Sequence, residues 1–321
     1  MADDGRQLVK VATLYYKDGL TQSQVAERLG ISRQMTARLL EQARKQDIVH
    51  IEIRSPLSFA TELESKLERA FFLKEAVVVH SVDETDDSIK TAIGQAAAQF
   101  AARAVQDNDI LGVSWSSTIY QFVLHMEPVD VRNVTVVGLN GSLNITAYPT
   151  HAEFVIHKMA EALRATPMVL SAPMFVDRED IKNSLLADSN IRKVLDLARR
   201  STFAMFGIGD LSENSSPYKA GYVSQEMLRK LTALGIVGDI CGRFYDVNGT
   251  PCLAELGNRT IAVDLRDFVS KRYSVGVAGG MRKVDAILGA LRGRFCNVLI
   301  TDERTAQALL DRNGISMPPG R

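Results

Sequence analysis

Residues 20–45 read LTQSQVAERLGISRQMTARLLEQARK, two short amphipathic runs separated by a glycine. Thr21 followed three residues later by Gln24 is the pattern of a capping box, in which a hydroxyl and an amide close the first turn of a helix reciprocally. A helix is therefore expected to begin there, turn Val25, Ala26 and Leu29 inward, and stop at Gly30, which can take a left-handed conformation. Ser32 is the expected N-cap of the next helix. Wound at 100° per residue, that helix gathers Met35, Thr36, Leu39, Leu40 and Ala43 in one arc, opposite Arg33, Gln34, Ala37, Arg38, Arg44 and Lys45. Ala26 is small enough for the helices to approach closely, and Gln22, Ala26 and Gly30 recur every fourth residue. The spacing predicts a helix-turn-helix.

Such a unit places the N-terminal half of its second helix in the DNA major groove. Arg33, Gln34, Ala37 and Arg38 occupy that half. Arginine can hold guanine through O6 and N7, glutamine can hold adenine through N6 and N7, and alanine can meet a thymine methyl. Thr21, Ser32, Arg44 and Lys45 suit phosphates, which position a protein without reading sequence, and Gln22 completes the DNA-binding set. A merely solvated helix face is the competing reading, and the two caps, the small residue and the glycine turn together weigh against it. Upstream, Leu8, Val11, Ala12 and Tyr15 recur at helical spacing before Gly19. Downstream, Val49, Ile51 and Ile53 alternate with His50, Glu52 and Arg54, so a strand forming a wing is expected, ended by Pro56. The domain boundary is placed near Ser55, giving a winged helix-turn-helix over 1–55 and a second domain over 56–321.

The whole chain carries 38 Lys and Arg against 38 Asp and Glu, so no global basic field argues for nucleic acid. The signal is local: Leu20–Gln46 holds five basic and two acidic residues. Cys241, Cys252 and Cys296 include no C-x-x-C pair, which excludes a disulfide framework or recognisable zinc site and fits buried thiols in a reducing cytoplasm. The opening MADDGRQLVK has no apolar signal region and no segment approaches a membrane span, so a cytoplasmic protein without membrane contact is expected. No residue pattern calls for a metal or cofactor.

Beyond the boundary, Phe59, Leu63, Leu67 and Phe71 form a helical stripe. Apolar runs then alternate with helical patterns: EAVVVH, DILGVS, NVTVVGL, PMVLSAP, TFAMFGIG, GDICGRFYD, TIAVDL, YSVGVAGG and NVLITD. Continuous apolar strands between helices predict an α/β fold with a mostly parallel sheet covered on both faces. Ligands of such sheets gather beyond the carboxyl ends of the strands. Candidate loops there are GVSWSST with Ser116, Ser117 and Thr118, GLNGS with Asn140, Gly141 and Ser142, FGIGD with Gly207 and Gly209, and AGGMRK with Gly279, Gly280 and Lys283. Each alone reads equally as a tight turn; four together point to a small anionic ligand, with hydroxyls and backbone N–H groups at a helix start suited to phosphate. Asp239 and Asp246 flank a strand-like run containing Arg243 and could accept from sugar hydroxyls, or serve as caps or ion pairs. Asp302 reads as a helix N-cap.

LYYKDGLTQSQVAERLGISRQMTARLLEQARKQDIVHIEI resembles the DNA-binding region of the SorC family of sugar-responsive bacterial transcription regulators, close to the DeoR-type deoxyribonucleoside regulators. GVSWSST, VGDICGRFYD and VAGGMRKVDAILGAL resemble that family's effector domain, so the likeness spans nearly the whole chain. The resemblance implies an effector domain related in fold to sugar-phosphate isomerases and deaminases, assembly as a homodimer or homotetramer, and double-stranded operator DNA and a phosphorylated sugar as partners. It further implies phosphate contacts at Ser116, Ser117, Thr118, Gly280 and Lys283, and sugar-hydroxyl contacts around Asp239 and Asp246. The family loop often has glycine after its tryptophan; here Ser116 follows Trp115, a change expected to narrow the pocket. GLNGS offers no lysine for an imine with a sugar aldehyde.

A ligand-controlled transcriptional regulator without enzymatic activity is the expectation. The alternative is a sugar-phosphate isomerase or deaminase-like enzyme with a DNA-binding appendage, for which no convincing set of histidine and carboxylate assembles; His151 and His157 lack metal-ligand spacing.

Overall fold

Three helices build the first part of the chain: α1 (Ala2–Ala12), α2 (Gln22–Leu29) and α3 (Arg33–Lys45), with a π turn, Thr13–Lys17, extending α1. The computed structural model describes residues 2–46, 48–49, 60–142, 152–252 and 255–314. The chain separates into two units, Met1–Leu57 and Ser58–Arg321. The capping box forms as expected: the Thr21 N–H donates to Gln24 Oε1 at 2.9 Å and the Gln24 N–H to Thr21 Oγ1 at 3.4 Å. Gly30 ends α2 at φ 66°, and Ser32 Oγ accepts from the Met35 N–H at 3.1 Å. Leu8, Val11, Val25, Leu39, Leu40 and Ala43 share one small core. Thr36 is fully buried within α3, and its hydroxyl donates to the Ser32 carbonyl at 3.2 Å, so the polar group in this apolar position is satisfied locally. The wing expected over 49–54 and the boundary at Ser55 fall, Val49 apart, outside the described residues.

The second unit runs, in chain order, through α4 (Thr61–Phe71), β1 (Glu75–Val79), α5 (Asp86–Ala104), β2 (Ile110–Val113), α6 (Ser117–Leu124), β3 (Thr135–Gly138), α7 (Ala152–Leu163) and β4 (Thr166–Met168). It continues with α8 (Glu179–Ala187), α9 (Ser189–Arg199), β5 (Phe203–Gly207), β6 (Gly209–Asp210), α10 (Ser216–Lys219), α11 (Gln225–Ala233), β7 (Ile236–Ile240) and β8 (Arg243–Asp246). Last come α12 (Glu255–Asn258), α13 (Arg266–Val269), β9 (Tyr273–Val277), α14 (Val284–Arg292), β10 (Val298–Asp302) and α15 (Glu303–Arg312). Seven strands form a parallel sheet in the order β1-β10-β9-β5-β2-β3-β4, and β6-β7-β8 form a small antiparallel sheet.

The uninterrupted apolar strands are explained by burial on both faces. Ala76 and Val78 of β1 join one core while Val77 and Val79 join the other; Ala204 and Phe206 of β5 divide likewise from Phe203 and Met205. Helices α5, α6 and α7 cover one face, and α4, α9, α14 and α15 the other. Leu63, Leu67 and Phe71 place the expected stripe of α4 on the second core; Phe59 lies outside the described residues. Cys241 and Cys296 are buried free thiols, and Cys252 is half-buried.

Two strand expectations are corrected. GDICGRFYD is a hairpin, not one strand: Cys241 and Gly242 take φ 53° and 73°, the left-handed pair a two-residue hairpin turn requires. TIAVDL joins no sheet; Thr260 and Ala262 make isolated bridges to Phe175 and Asn140, because its backbone pairs with irregular loops. A Cβ on Gly242 would lie 2.5 Å from Met174 Cε and 2.9 Å from the Phe175 ring. Gly242→Ala is expected to destabilise the protein by roughly 1–3 kcal/mol, from backbone strain plus overpacking, measurable by urea unfolding.

Candidate functional site

The connections of the parallel sheet reverse between β2 and β5: β2, β3 and β4 step towards one edge, β5, β9 and β10 towards the other. The crevice at the carboxyl ends of two such strands is where α/β sheets take ligands. The loops there are tied together. The Ser114 N–H donates to the Met205 carbonyl at 3.0 Å, and the Gly207 N–H to Ser114 Oγ at 3.3 Å. A cavity of about 710 Å³ opens at this point, within the range of small-molecule sites.

Ser116 and Ser117 line the cavity where α6 begins. Ser116 is the N-cap, its Oγ accepting from the Ile119 N–H at 3.1 Å, and the leading N–H groups of a helix have no partners within it. A Cβ on Gly207 would lie 2.6 Å from Ser116 Oγ. The serine after Trp115 therefore occupies the space that Gly207 leaves. Trp115 donates from Nε1 to the Gly141 carbonyl at 2.8 Å, fixing the indole that borders the cavity.

Asn140, Asp239 and Lys283 also line the cavity. Asn140 is buried; its Nδ2 donates to the Gly141 carbonyl at 3.2 Å, and its Oδ1 accepts from no group among the described residues. Asp239 Oδ2 accepts from the Gly242 N–H at 2.9 Å. Burial pushes the Asp239 carboxyl up to about 6, against the hydrogen bond from Gly242 and the attraction of Lys283, with Asp210 adding to the rise. Burial lowers the Lys283 ammonium, and Lys90 adds to this while Asp210, Asp86 and Asp239 oppose it. Among the described residues, no acceptor forms a hydrogen bond or ion pair with Lys283 Nζ.

Other predicted residues are elsewhere. Thr118 is buried behind the first turn of α6, and Ser142 is exposed beside Pro173. Gly141 and Gly279 are packing glycines: a Cβ would meet the Ala172 carbonyl oxygen at 2.5 Å or Asp302 Oδ2 at 2.3 Å. The Gly280 N–H, expected to meet phosphate, is already bonded to Asp302 Oδ2 and Thr305 Oγ1, each at 2.8 Å. Asp302 is the N-cap of α15, as expected. Asp246 is not at the cavity: the hairpin puts it opposite Ile236, while Asp239 is opposite Phe244, and its Oδ1 accepts from the Asn248 and Thr250 N–H groups. Arg243 donates to the carbonyls of Gly257, Ala262 and Val263, anchoring the irregular segment.

The sequence reading missed the charged mouth. Asp86 and Lys90 of α5 pair at 2.5 Å, and Arg282 approaches Asp86 at 3.7 Å. Burial pushes the Asp86 carboxyl up, but Lys90, Lys283 and Arg282 outweigh it and keep it below its ordinary value. Asp87, Asp210 and Lys219 complete the lining charges. Arg282 and Asp210 adjoin named loop residues and were legible; Asp86 and Lys90 lie outside every loop that the sequence singled out.

On α3, Arg33, Gln34, Ala37 and Arg38 are all exposed. Lys45 pairs with Glu41 at 2.8 Å, both well exposed, and Arg44 Nε donates to the Tyr16 hydroxyl at 2.7 Å. Thr21 is exposed and Gln22 half-buried at the start of α2, and Ser32 is exposed at the start of α3. No helix among the described residues is long and apolar enough to cross a membrane, and no group of three His, Cys, Asp or Glu among them could hold a metal ion.

The Sugar-bind family, described as "Putative sugar-binding domain", matches residues 55–311. The chain is 36% identical over 303 residues to the deoxyribonucleoside regulator of Bacillus subtilis (strain 168), covering 94% of this chain and 96% of that one. It is 33% identical over 315 residues to the sorbitol operon regulator of Klebsiella pneumoniae, covering 96% and 99%. The crystal structure of the full-length sorbitol operon regulator SorC from Klebsiella pneumoniae superposes with a TM-score of 0.74 at 32% identity, over 96% of this chain and 99% of that one. With a family match over most of its length and relatives above 30% identity end to end, the chain belongs to the SorC/DeoR-type sugar-binding transcriptional regulators.

Proposed function

We propose that residues 1–55 form a helix-turn-helix reader of double-stranded operator DNA, and that residues 56–321 form an isomerase-like, non-catalytic domain whose cavity takes a phosphorylated sugar. The observation that carries this reading is Lys283: a half-buried ammonium without a direct partner among the described residues, bordering the same cavity as the start of α6. A desolvated cation beside a helix N-terminus favours an anion. The unpaired Asn140 Oδ1 and the buried Asp239 supply acceptors for hydroxyls, so the lining matches a ligand with one anionic group and several hydroxyls. Thermal shift of the full chain against a panel of phosphorylated sugars and their unphosphorylated counterparts tests it. Stabilisation by phosphorylated members only is the expected result, since a ligand of the folded state raises stability by mass action.

Arg33, Gln34, Ala37 and Arg38 are the proposed base-reading residues. Arg38→Ala is expected to weaken selected-site binding by about 1–3 kcal/mol and relax its sequence preference, leaving the sugar-phosphate thermal shift intact; gel-shift titration against a site selected from random duplexes checks this. Two copies are proposed to present two α3 helices to half-sites about 34–36 Å apart, and light scattering gives the assembly state. One observation favours a second reading, an enzyme: the Asp239 carboxyl, held near 6, suits proton transfer. Steady-state conversion of pentose or hexose phosphates would establish that reading instead.

A further inference from the structure

Arg44, in the last turn of α3, donates from Nε to the Tyr16 hydroxyl at 2.7 Å, and its guanidinium carbon lies 5.7 Å from the centre of the Tyr16 ring. Tyr16 belongs to the π turn that ends α1, immediately before the connection into α2. Both side chains are exposed, so burial does not account for the pairing. Arg44 has no carboxylate partner among the described residues, whereas the neighbouring Lys45 is already neutralised by Glu41. A guanidinium held through Nε keeps both terminal nitrogens available in one plane, the fork that matches two oxygens of a phosphate. Holding the side chain before binding lowers the ordering cost of the contact.

The location gives the pair a target. In three-helix DNA readers of the homeodomain type, the connection between the first two helices and the C-terminal end of the third helix contact the DNA backbone. Tyr16 abuts the first of those places and Arg44 stands at the second, so the hydrogen bond joins them. We propose that Tyr16 and Arg44 form a phosphate clamp, in which the tyrosine hydroxyl positions the guanidinium and the two terminal nitrogens of Arg44 grip one phosphate of the duplex. The clamp rests on the helix-turn-helix reading above and adds Tyr16 to it as a positioning residue. Phosphate contacts are blind to sequence.

A mixed-sequence duplex of about 30 base pairs therefore serves as the probe, titrated with the full chain across a salt series. Arg44→Ala is expected to weaken binding about tenfold and to reduce the slope of log K against log salt by about 0.9, the signature of one lost phosphate contact. Tyr16→Phe keeps the ring and the arginine charge and loses only the hydroxyl; about fivefold weaker binding is expected. The double variant should bind no more weakly than Arg44→Ala alone, because the tyrosine acts through the arginine. Losses that add in the double variant would overturn the positioning role. Lower melting temperatures with unchanged affinity and salt slope would make the pair a structural staple and overturn the clamp, leaving the DNA-reading role intact. Absence of salt-dependent binding by the wild-type chain would overturn both.

Discussion

Lys283→Ala is expected to remove at least half of the thermal stabilisation that a phosphorylated sugar gives the wild-type protein. A ligand at one hundred times its dissociation constant contributes about 2.7 kcal/mol, which for a unit of this size corresponds to roughly 5–10 °C in melting temperature. Removing a charged hydrogen-bond partner of the anion costs about 1.5–3 kcal/mol of binding, which leaves only about 0.3–1.3 kcal/mol of that stabilisation at the same ligand concentration. The unliganded variant should melt no lower than wild type, because burial already disfavours the Lys283 charge and no direct partner is lost. Scanning calorimetry with and without the stabilising sugar phosphate reads both quantities. A ligand-induced shift equal to that of wild type would move the anion site away from Lys283.

Asp239→Asn is expected to act oppositely on stability and on binding. The Asp239 carboxyl titrates near 6 in the folded protein against 3.8 ordinarily, so the folded state binds the proton more tightly than the unfolded chain. Its protonated form favours folding below about pH 4; that advantage is lost as pH rises through 6, where the charged form is the buried one. Asparagine carries no charge to bury and still accepts from the Gly242 N–H. The variant should therefore gain up to about 3 kcal/mol over wild type above pH 6, narrowing to nothing near pH 4. Urea unfolding at pH 4, 6 and 8 measures the trend. Its sugar-phosphate affinity should fall most above pH 6, where the wild-type group is a carboxylate that offers two acceptors to the amide's one. A cavity residue that costs the empty fold stability is the trade expected of a binding site.

The two-helix unit was legible because its determinants are local. A capping box, a glycine at positive φ and a serine cap each act within four residues, and all three formed where the sequence placed them. The parallel sheet was legible for a related reason: strands buried on both faces leave continuous apolar runs, and β1, β2, β3, β5, β9 and β10 all lie within the expected stretches. The hairpin at Cys241–Gly242 was the informative failure. An X-Gly pair between apolar runs is a turn signal, and missing it put Asp246 at the cavity with Asp239 when the reversal carries it away. The AGG loop misled for another reason. Gly280 has the expected backbone freedom, but its N–H is committed to Asp302 at the end of β10 and Thr305 in the first turn of α15. Asp86 and Lys90 pair within α5 at the local spacing of four residues, but the approach of Arg282 to Asp86 depends on α5 and the β9–α14 loop meeting, which no local pattern records.

One coupling is central to a sugar-controlled reader: filling the cavity must alter how the chain holds DNA, and by linkage DNA must alter the sugar-phosphate affinity by the same factor. Fluorescence anisotropy with a duplex selected by the protein from a random pool measures it directly. The sugar phosphate that gives the largest thermal shift is titrated into the wild-type complex and into that of Lys283→Ala. At least an approximately fivefold change in DNA affinity is expected for wild type, reached in the variant only at about tenfold or more higher sugar-phosphate concentration and absent with the unphosphorylated sugar. DNA affinity that stays constant while the sugar phosphate demonstrably stabilises the protein would contradict it.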